Sequence, residues 1–357
     1  MDTIIKKIDA DNIKADDFEE AARILNSGGL VAFPTETVYG LGGDALNPDS
    51  SKKIYEAKGR PSDNPLIVHI ADIDAISKIA VLDDSAYEMD DVSVAVNRLA
   101  EAFWPGPLTI ILKKTDAVPY ETTGGLDTVA IRMPSDKIAA VFIRESCGYI
   151  AAPSANISGR PSPTRVSHVI EDLSGRVDMI IDGGDVDIGL ESTIVDLTED
   201  RPYILRPGAI TEQMLKDILP DVTMDKGLKS DADAAPKAPG MKYRHYAPNG
   251  QLTIVTGDTD DVIDYINDKA AACKADLIKC GVICPNEHLL RYKAPVVKCT
   301  GRSGDEEAVA KRLYSILREF DTEGVEEIYS ESFESEGLGS AVMNRLIKAA
   351  GHKIVQV

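Results

Sequence analysis

At 357 residues the chain has length for about two domains, and its 39 basic and 59 acidic side chains give a formal charge of −20. With 43% hydrophobic and 27% charged residues it sits near the globular average, which excludes wholesale disorder, collagen and coiled coil; no run approaches the roughly 18 apolar residues of a membrane span. Through residue 210 there are 20 basic against 35 acidic side chains, and 19 against 24 beyond it, so neither part has the basic surface of a nucleic-acid clamp. A small anionic ligand remains compatible with this balance, because a few cations can converge in one cleft of an acidic molecule.

In chain order, apolar residues at helical spacing (Phe18, Ala21, Ala22, Leu25) predict a helix over Asp16–Asn26, stopped by Gly28-Gly29 before a strand at Leu30–Phe33. Strand patterns follow at Leu66–Ile70, Leu108–Leu112, Thr128–Ile131, Gly148–Ala152, Met179–Ile181 and Ser192–Leu197. Helical patterns between them lie at Ser50–Lys58, Val94–Phe103, Lys137–Glu145 and Thr164–Leu173, which together predict a mixed sheet with helices that ends near Gly208, where Ile204–Gly208 closes the last strand. After a short helix (Thr211–Leu219), the Asp/Lys/Ala/Pro-rich stretch Asp221–Gly240 reads as a linker. Strands at Gln251–Val255, Gly281–Cys284, Glu327–Ser330 and Lys353–Val357, with helices near Asp261–Cys273, Glu306–Phe320 and Ser340–Ala350, predict a smaller Rossmann-like α/β domain. The expected division is therefore 1–210, a linker over 211–249 and 250–357.

Five cysteines (Cys147, Cys273, Cys280, Cys284, Cys299) and five scattered histidines offer no C-x-x-C pair and no zinc spacing, so no metal site is expected and a reduced compartment fits best. The N-terminal residues carry no signal-like apolar stretch, and a cytoplasmic location is expected. Three segments concentrate polar chemistry at strand ends. Pro34–Gly43 follows a strand, where glycines allow close approach of backbone to ligand or simply build a surface turn. Lys58 and Arg60 stand two apart in a Gly/Pro-stiffened loop, placed either to grip one polyphosphate or to compensate a helix dipole. Ala151–Thr164 supplies Ser154, Asn156 and Ser162, short donors suited to phosphate oxygens or a ribose. Arg132 and Arg206 lie at other strand ends, and each could face a cleft or be an edge-strand charge; His69, taken alone, reads as a packed histidine. A P-loop is absent, and Gly337-Leu338-Gly339 lacks the third glycine of a dinucleotide fingerprint, Val342 standing in its place.

Taken together, Pro34–Leu41, Lys58-Gly59-Arg60-Pro61 with Asn64-Pro65-Leu66, Trp104–Thr109, Ser154-Ala155-Asn156 and Glu191–Asp196 resemble the YrdC-like domain of threonylcarbamoyl-AMP synthases over about residues 10–210. Pro239–Pro248 and Gly337–Leu346 resemble the two-domain form of that family, which adds a linker and a Rossmann-like domain. The resemblance implies a twisted mixed sheet for the first domain. It also implies a nucleotidyl transfer in which L-threonine, bicarbonate and ATP give threonylcarbamoyl-AMP and pyrophosphate, for tRNA modification by separate transfer proteins. By position it puts Lys58, Arg60, Asn64, Thr128, Ser154, Asn156, Ser162, Arg206 and Tyr246 at ATP, and Thr35, His69, Arg132, Ala152 and Ser192 around threonine, Arg132 pairing its carboxylate.

The chemistry this implies assigns Lys58, Arg60 and His69 catalytic parts: the two cations offset charge on the phosphates, and His69 assists deprotonation of the threonine amine. Magnesium is expected through ATP phosphates and water. The segment Lys242–Tyr246 is expected to close over ATP as a lid. Tight direct binding of nucleic acid and membrane association are not expected. Two other readings are open: a non-catalytic RNA-binding or translation-associated module, against which the charge of −20 speaks, and a carbamoyltransferase of hydrogenase maturation, whose zinc-finger cysteines and acylphosphatase region this chain lacks.

Overall fold

The computed structural model describes residues 2–89, 91–225, 237–238 and 245–357. The chain forms two compact units, one of Met1–Ser158, Pro163–Asp187 and Glu191–Lys242, the other of Gly159–Ser162, Ile188–Leu190 and Tyr243–Val357. The first is built on strands β1 (Ile4–Lys7), β2 (Val31–Phe33), β3 (Gly40–Asp44), β4 (Ile67–His69), β5 (Leu108–Lys113), β6 (Thr128–Arg132), β7 (Ile150–Ala152), β8 (Met179–Asp182), β9 (Thr193–Asp196), β10 (Tyr203–Arg206) and β11 (Thr223–Met224). They join in one mixed sheet in the order β1-β8-β2-β3-β7-β4-β6-β5-β9-β10-β11.

Alternation along each strand gives this sheet two faces. Phe33 and Val31 pack with Phe18, Leu25 and Phe142, while Ala32 and Leu41 join Ile54, Leu99, Ile110 and Val195 in the larger core. Each fully buried side chain of this size contributes about 1.5–3 kcal/mol relative to exposure. Helix Pro48–Lys58 opens with the Asn47 side chain accepting from the Asp49 N–H and closes on Gly59 in the left-handed region at φ +60. That stop sets Lys58 at the last turn and sends the chain straight into the Arg60–Pro65 loop that enters β4.

Three strands of this sheet lie outside the sequence-based expectation. β1 is an edge strand with exposed Ile4 and Ile5 beside two lysines, so no alternation marks it. β11 has only two residues. β3 falls in the Pro34–Gly43 segment read as a loop, and the reason is steric. A Cβ on Gly42 would lie 2.8 Å from Ile150 Cγ2 and 3.1 Å from Phe33 Cε1, so strand geometry here demands the residue that strand propensity disfavours.

The second unit holds β12 (Gln251–Thr256), β13 (Cys280–Cys284), β14 (Val296–Cys299), β15 (Glu327–Glu331) and β16 (Ile354–Gln356), all parallel in the order β14-β13-β15-β12-β16. Helices Thr259–Ala275, Glu306–Thr322 and Gly337–Ala349 make the crossovers, as a parallel sheet requires. β14 was not anticipated; its Val296–Cys299 run is short and half-buried. All five cysteines are free thiols. Within this unit Arg318 donates from Nε and Nη2 to the Pro161 carbonyl at 3.1 and 2.6 Å, and Tyr246 stacks on Tyr314 with ring centroids 5.3 Å apart. Of the expected linker, residues 226–236 and 239–240 lie outside the described residues, as do Lys242, Tyr243 and Arg244 of the expected lid. None of the described helices is long and apolar enough to cross a membrane.

Candidate active site

Strand register brings distant motifs onto one face of the first sheet. His69 lies opposite Arg132 in the β4–β6 pair, and Arg132 opposite Thr109 in the β6–β5 pair. Directly opposed residues share a face, and so do residues two apart on one strand. The same face therefore carries Ile67, Ala130, Thr128, Ile111 and Ala152, the last opposite Ile67. Its apolar floor is Ile67, Ile111, Ala130, Ile194 and Leu205, and Ala238 is buried among them.

At one end of this face a dense polar cluster forms. Arg132 Nη1 donates to Thr37 Oγ1 at 2.9 Å, and Thr35 and Thr37 share a hydrogen bond of 2.9 Å. Arg132 Nη2 lies 2.7 Å from Glu36 Oε1, a buried ion pair. Thr109 Oγ1 and Ser192 Oγ are 2.7 Å apart, and Arg206 donates from Nε to the Ser192 carbonyl at 3.0 Å and from Nη2 to Ser192 Oγ at 3.1 Å. His69 is buried with its ring edge against Phe33 at 5.9 Å. Because a carbonyl only accepts, the 3.1 Å contact to Ile67 O puts the proton on Nδ1. Burial, with the Arg132 charge second, pushes the imidazole down to about 3. Asp136, which caps helix Lys137–Glu145, is pushed up to about 6 by burial, helped by the Glu36 and Asp187 charges.

Thr128, four residues back along β6 and roughly 13 Å from Arg132 at strand spacing, marks the other end of the face, and beyond the Ile67–Ala152 pair the loops after β7 and before β4 meet. Lys58 Nζ donates to the carbonyls of Ser154 and Asn156, and Ser154 Oγ donates to Asn156 Oδ1 at 2.5 Å. Arg60 donates from Nε to the Asn64 carbonyl at 3.2 Å and from Nη2 to the Pro65 carbonyl at 3.1 Å. Gly40 bridges to Ser154, tying β3 to this end. The face thus has a cationic end with turn amides and hydroxyls, and an end built around one buried guanidinium with hydroxyls and a carboxylate.

The family model for Sua5, YciO and YrdC proteins, described as telomere recombination, matches residues 23–208. A model described as the C-terminal domain of threonylcarbamoyl-AMP synthase matches residues 210–351. The chain belongs to the threonylcarbamoyl-AMP synthase family. It is 48% identical over 338 residues to the threonylcarbamoyl-AMP synthase of Bacillus subtilis, covering 94% of each chain. To the enzyme of that name from Pyrococcus abyssi it is 45% identical over 337 residues, covering 94% of this chain and 95% of the relative. The crystal structure of Pyrococcus abyssi Sua5 in complex with L-threonine superposes with a TM-score of 0.91 at 44% identity, covering 99% of this chain and 100% of that one.

Against this family's expected residues, the geometry brings Thr35, His69, Arg132 and Ser192 to one end of the face, and Lys58, Arg60, Asn64, Ser154 and Asn156 to the other. Ala152 pairs with Ile67 between the ends, and Thr128 opens β6 on the same face. Arg206, expected at ATP, makes its described contacts to Ser192, expected at threonine. Ser162 and Tyr246 fall in the second unit. Glu36, Thr37 and Thr109 stood in the sequence only within the Pro34–Leu41 and Trp104–Thr109 motifs, not as individual site residues. Thr109 was findable, because a threonine alternating with Ile111 on a buried strand marks a polar position on an inward face.

Proposed function

We propose that this protein makes threonylcarbamoyl-AMP and pyrophosphate from L-threonine, bicarbonate and ATP. The observation that carries the reading is the single continuous face with Arg132, Thr35, Thr109 and Ser192 at one end and Lys58, Arg60, Ser154 and Asn156 at the other. An amino acid held by its carboxylate at Arg132 would direct its nitrogen along the face toward a triphosphate at the second end, as in-line transfer to the α-phosphorus requires. A carbamate decomposes readily in water, so the site must be dry. Two described residues of the linker support this: Ala238 is buried on the floor, and Lys237 pairs with Glu199 and lies 3.4 Å from Asp196.

Lys58, Arg60 and Arg206 offset charge as the carbamate oxygen attacks the α-phosphorus and pyrophosphate leaves. Among the described residues there is no group of three His, Cys, Asp or Glu side chains able to hold a metal; hydroxyl and amide groups at Ser154 and Asn156 suit phosphate oxygens, and magnesium would come with the nucleotide, where it neutralises phosphate charge. The product passes to separate proteins that transfer the threonylcarbamoyl group to tRNA in the cytoplasm. Pyrophosphate release with ATP, magnesium and bicarbonate, assayed over the common amino acids, tests the reading. Release dependent on threonine supports it; equal release with any amino acid, or with none, rejects it.

A further inference from the structure

Glu36 is 6% exposed and Arg132 4%, and their 2.7 Å contact leaves both underused. Among the described residues neither Glu36 oxygen has a hydrogen-bond partner, nor do Arg132 Nε and Nη2, because no N–H of the guanidinium points along the contact. A buried carboxylate ordinarily accepts two or more hydrogen bonds, and removing it from water without them is costly. Arg132 Nη1 is already committed to Thr37, so the Nε/Nη2 edge, whose Nη2 lies against Glu36 Oε1 without an aligned hydrogen bond, is the one left to bind a substrate carboxylate. A two-donor edge beside a carboxylate that lacks donors is the mirror image of an α-amino acid zwitterion.

We propose that the Glu36 carboxylate receives the α-ammonium group of the amino-acid substrate beside Arg132, and accepts the proton that the nitrogen sheds before the carbamate forms. The proposal rests on the reading above and names the base that reading needs. The step balances: one ammonium N–H bond breaks and its proton goes to a Glu36 oxygen, the freed nitrogen lone pair forms the C–N bond with the bicarbonate carbon, and the bicarbonate C–OH bond breaks, the hydroxyl leaving as water with a second proton from the nitrogen. The substrate then carries a carbamate, and Glu36, now a neutral acid, returns its proton to solvent. His69 is poorly placed for this step. Its ring is buried edge-on against Phe33, and that burial, with the Arg132 charge second, makes it a weak proton acceptor. Docking of the substrate carboxylate on Arg132 would share the guanidinium charge and release Glu36 to act.

The test compares L-threonine with its 2-hydroxy analogue, in which a hydroxyl replaces the amine, by calorimetric titration into the full-length protein. A charge-assisted contact predicts that the wild-type protein favours threonine by about tenfold or more, and that Glu36→Gln brings the two affinities within about threefold of each other. Damage to the fold alone would weaken both ligands equally and leave the ratio standing. Retention of the wild-type ratio in Glu36→Gln overturns the proposal. Should that variant not fold, the wild-type ratio decides, and a preference below about tenfold overturns it. Wild-type protein that forms no threonylcarbamoyl-AMP would instead reject the underlying reading, a separate outcome from loss or retention of the ratio.

Discussion

Arg132 shows how one buried charge organises its neighbours: it ties Thr37, pairs with Glu36 and depresses His69. The His69 and Asp136 shifts make opposite predictions for stability against pH. His69, down at about 3 when folded against an ordinary 6.5, contributes stability present above pH 6.5 and lost as pH falls toward 3. Asp136, raised to about 6, works the other way: the folded state holds its proton longer, so stability declines as pH rises from 3.8 through 6. The two slopes oppose one another between pH 4 and 6. Asp136→Asn keeps a good helix cap and removes the charge, so its denaturant stability should fall more steeply with acid than wild type over that window, by on the order of 1 kcal/mol per pH unit. His69→Gln should flatten the acid loss. A profile unchanged by either substitution would contradict these assignments. Lys58→Met should lower pyrophosphate release about a hundredfold at saturating ATP, and it strips the donor from the Ser154 and Asn156 carbonyls.

Elements were legible where hydrophobic period and cap chemistry agreed. The helix expected at Ser50–Lys58 is Pro48–Lys58, begun by Asn47 and ended by Gly59, and the strand expected at Leu108–Leu112 is Leu108–Lys113. β3 was not legible, because its glycines answer to Phe33 and Ile150, residues brought close only by the folded sheet. The same contrast separates two glycine substitutions. Gly42→Ala forces a Cβ into Ile150 and Phe33 and should cost about 1–3 kcal/mol in denaturant unfolding. Gly59→Ala meets open space and carries only the left-handed backbone cost of about 1 kcal/mol. At the site, Lys58, Ser154 and Asn156 stood out as motifs in loops. Glu36 did not, since nothing in Pro34-Thr35-Glu36-Thr37 says that its carboxylate will be buried against an arginine 96 positions later.

For the molecule as a whole, charge and site point the same way: a net −20 surface surrounds a face whose cations are few and inward. The protein should therefore show no salt-dependent tRNA association of micromolar or tighter affinity in the absence of ATP. The central claim is that this face joins a carbon from bicarbonate to the threonine nitrogen and caps it with AMP. Mass spectrometry of the adenylate formed from 13C-bicarbonate, threonine and ATP tests it most directly. The account predicts an adenylate one mass unit heavier than that from unlabelled bicarbonate, with the label on the nitrogen-bound carbonyl. An unlabelled adenylate, with AMP on the threonine carboxylate, would contradict it.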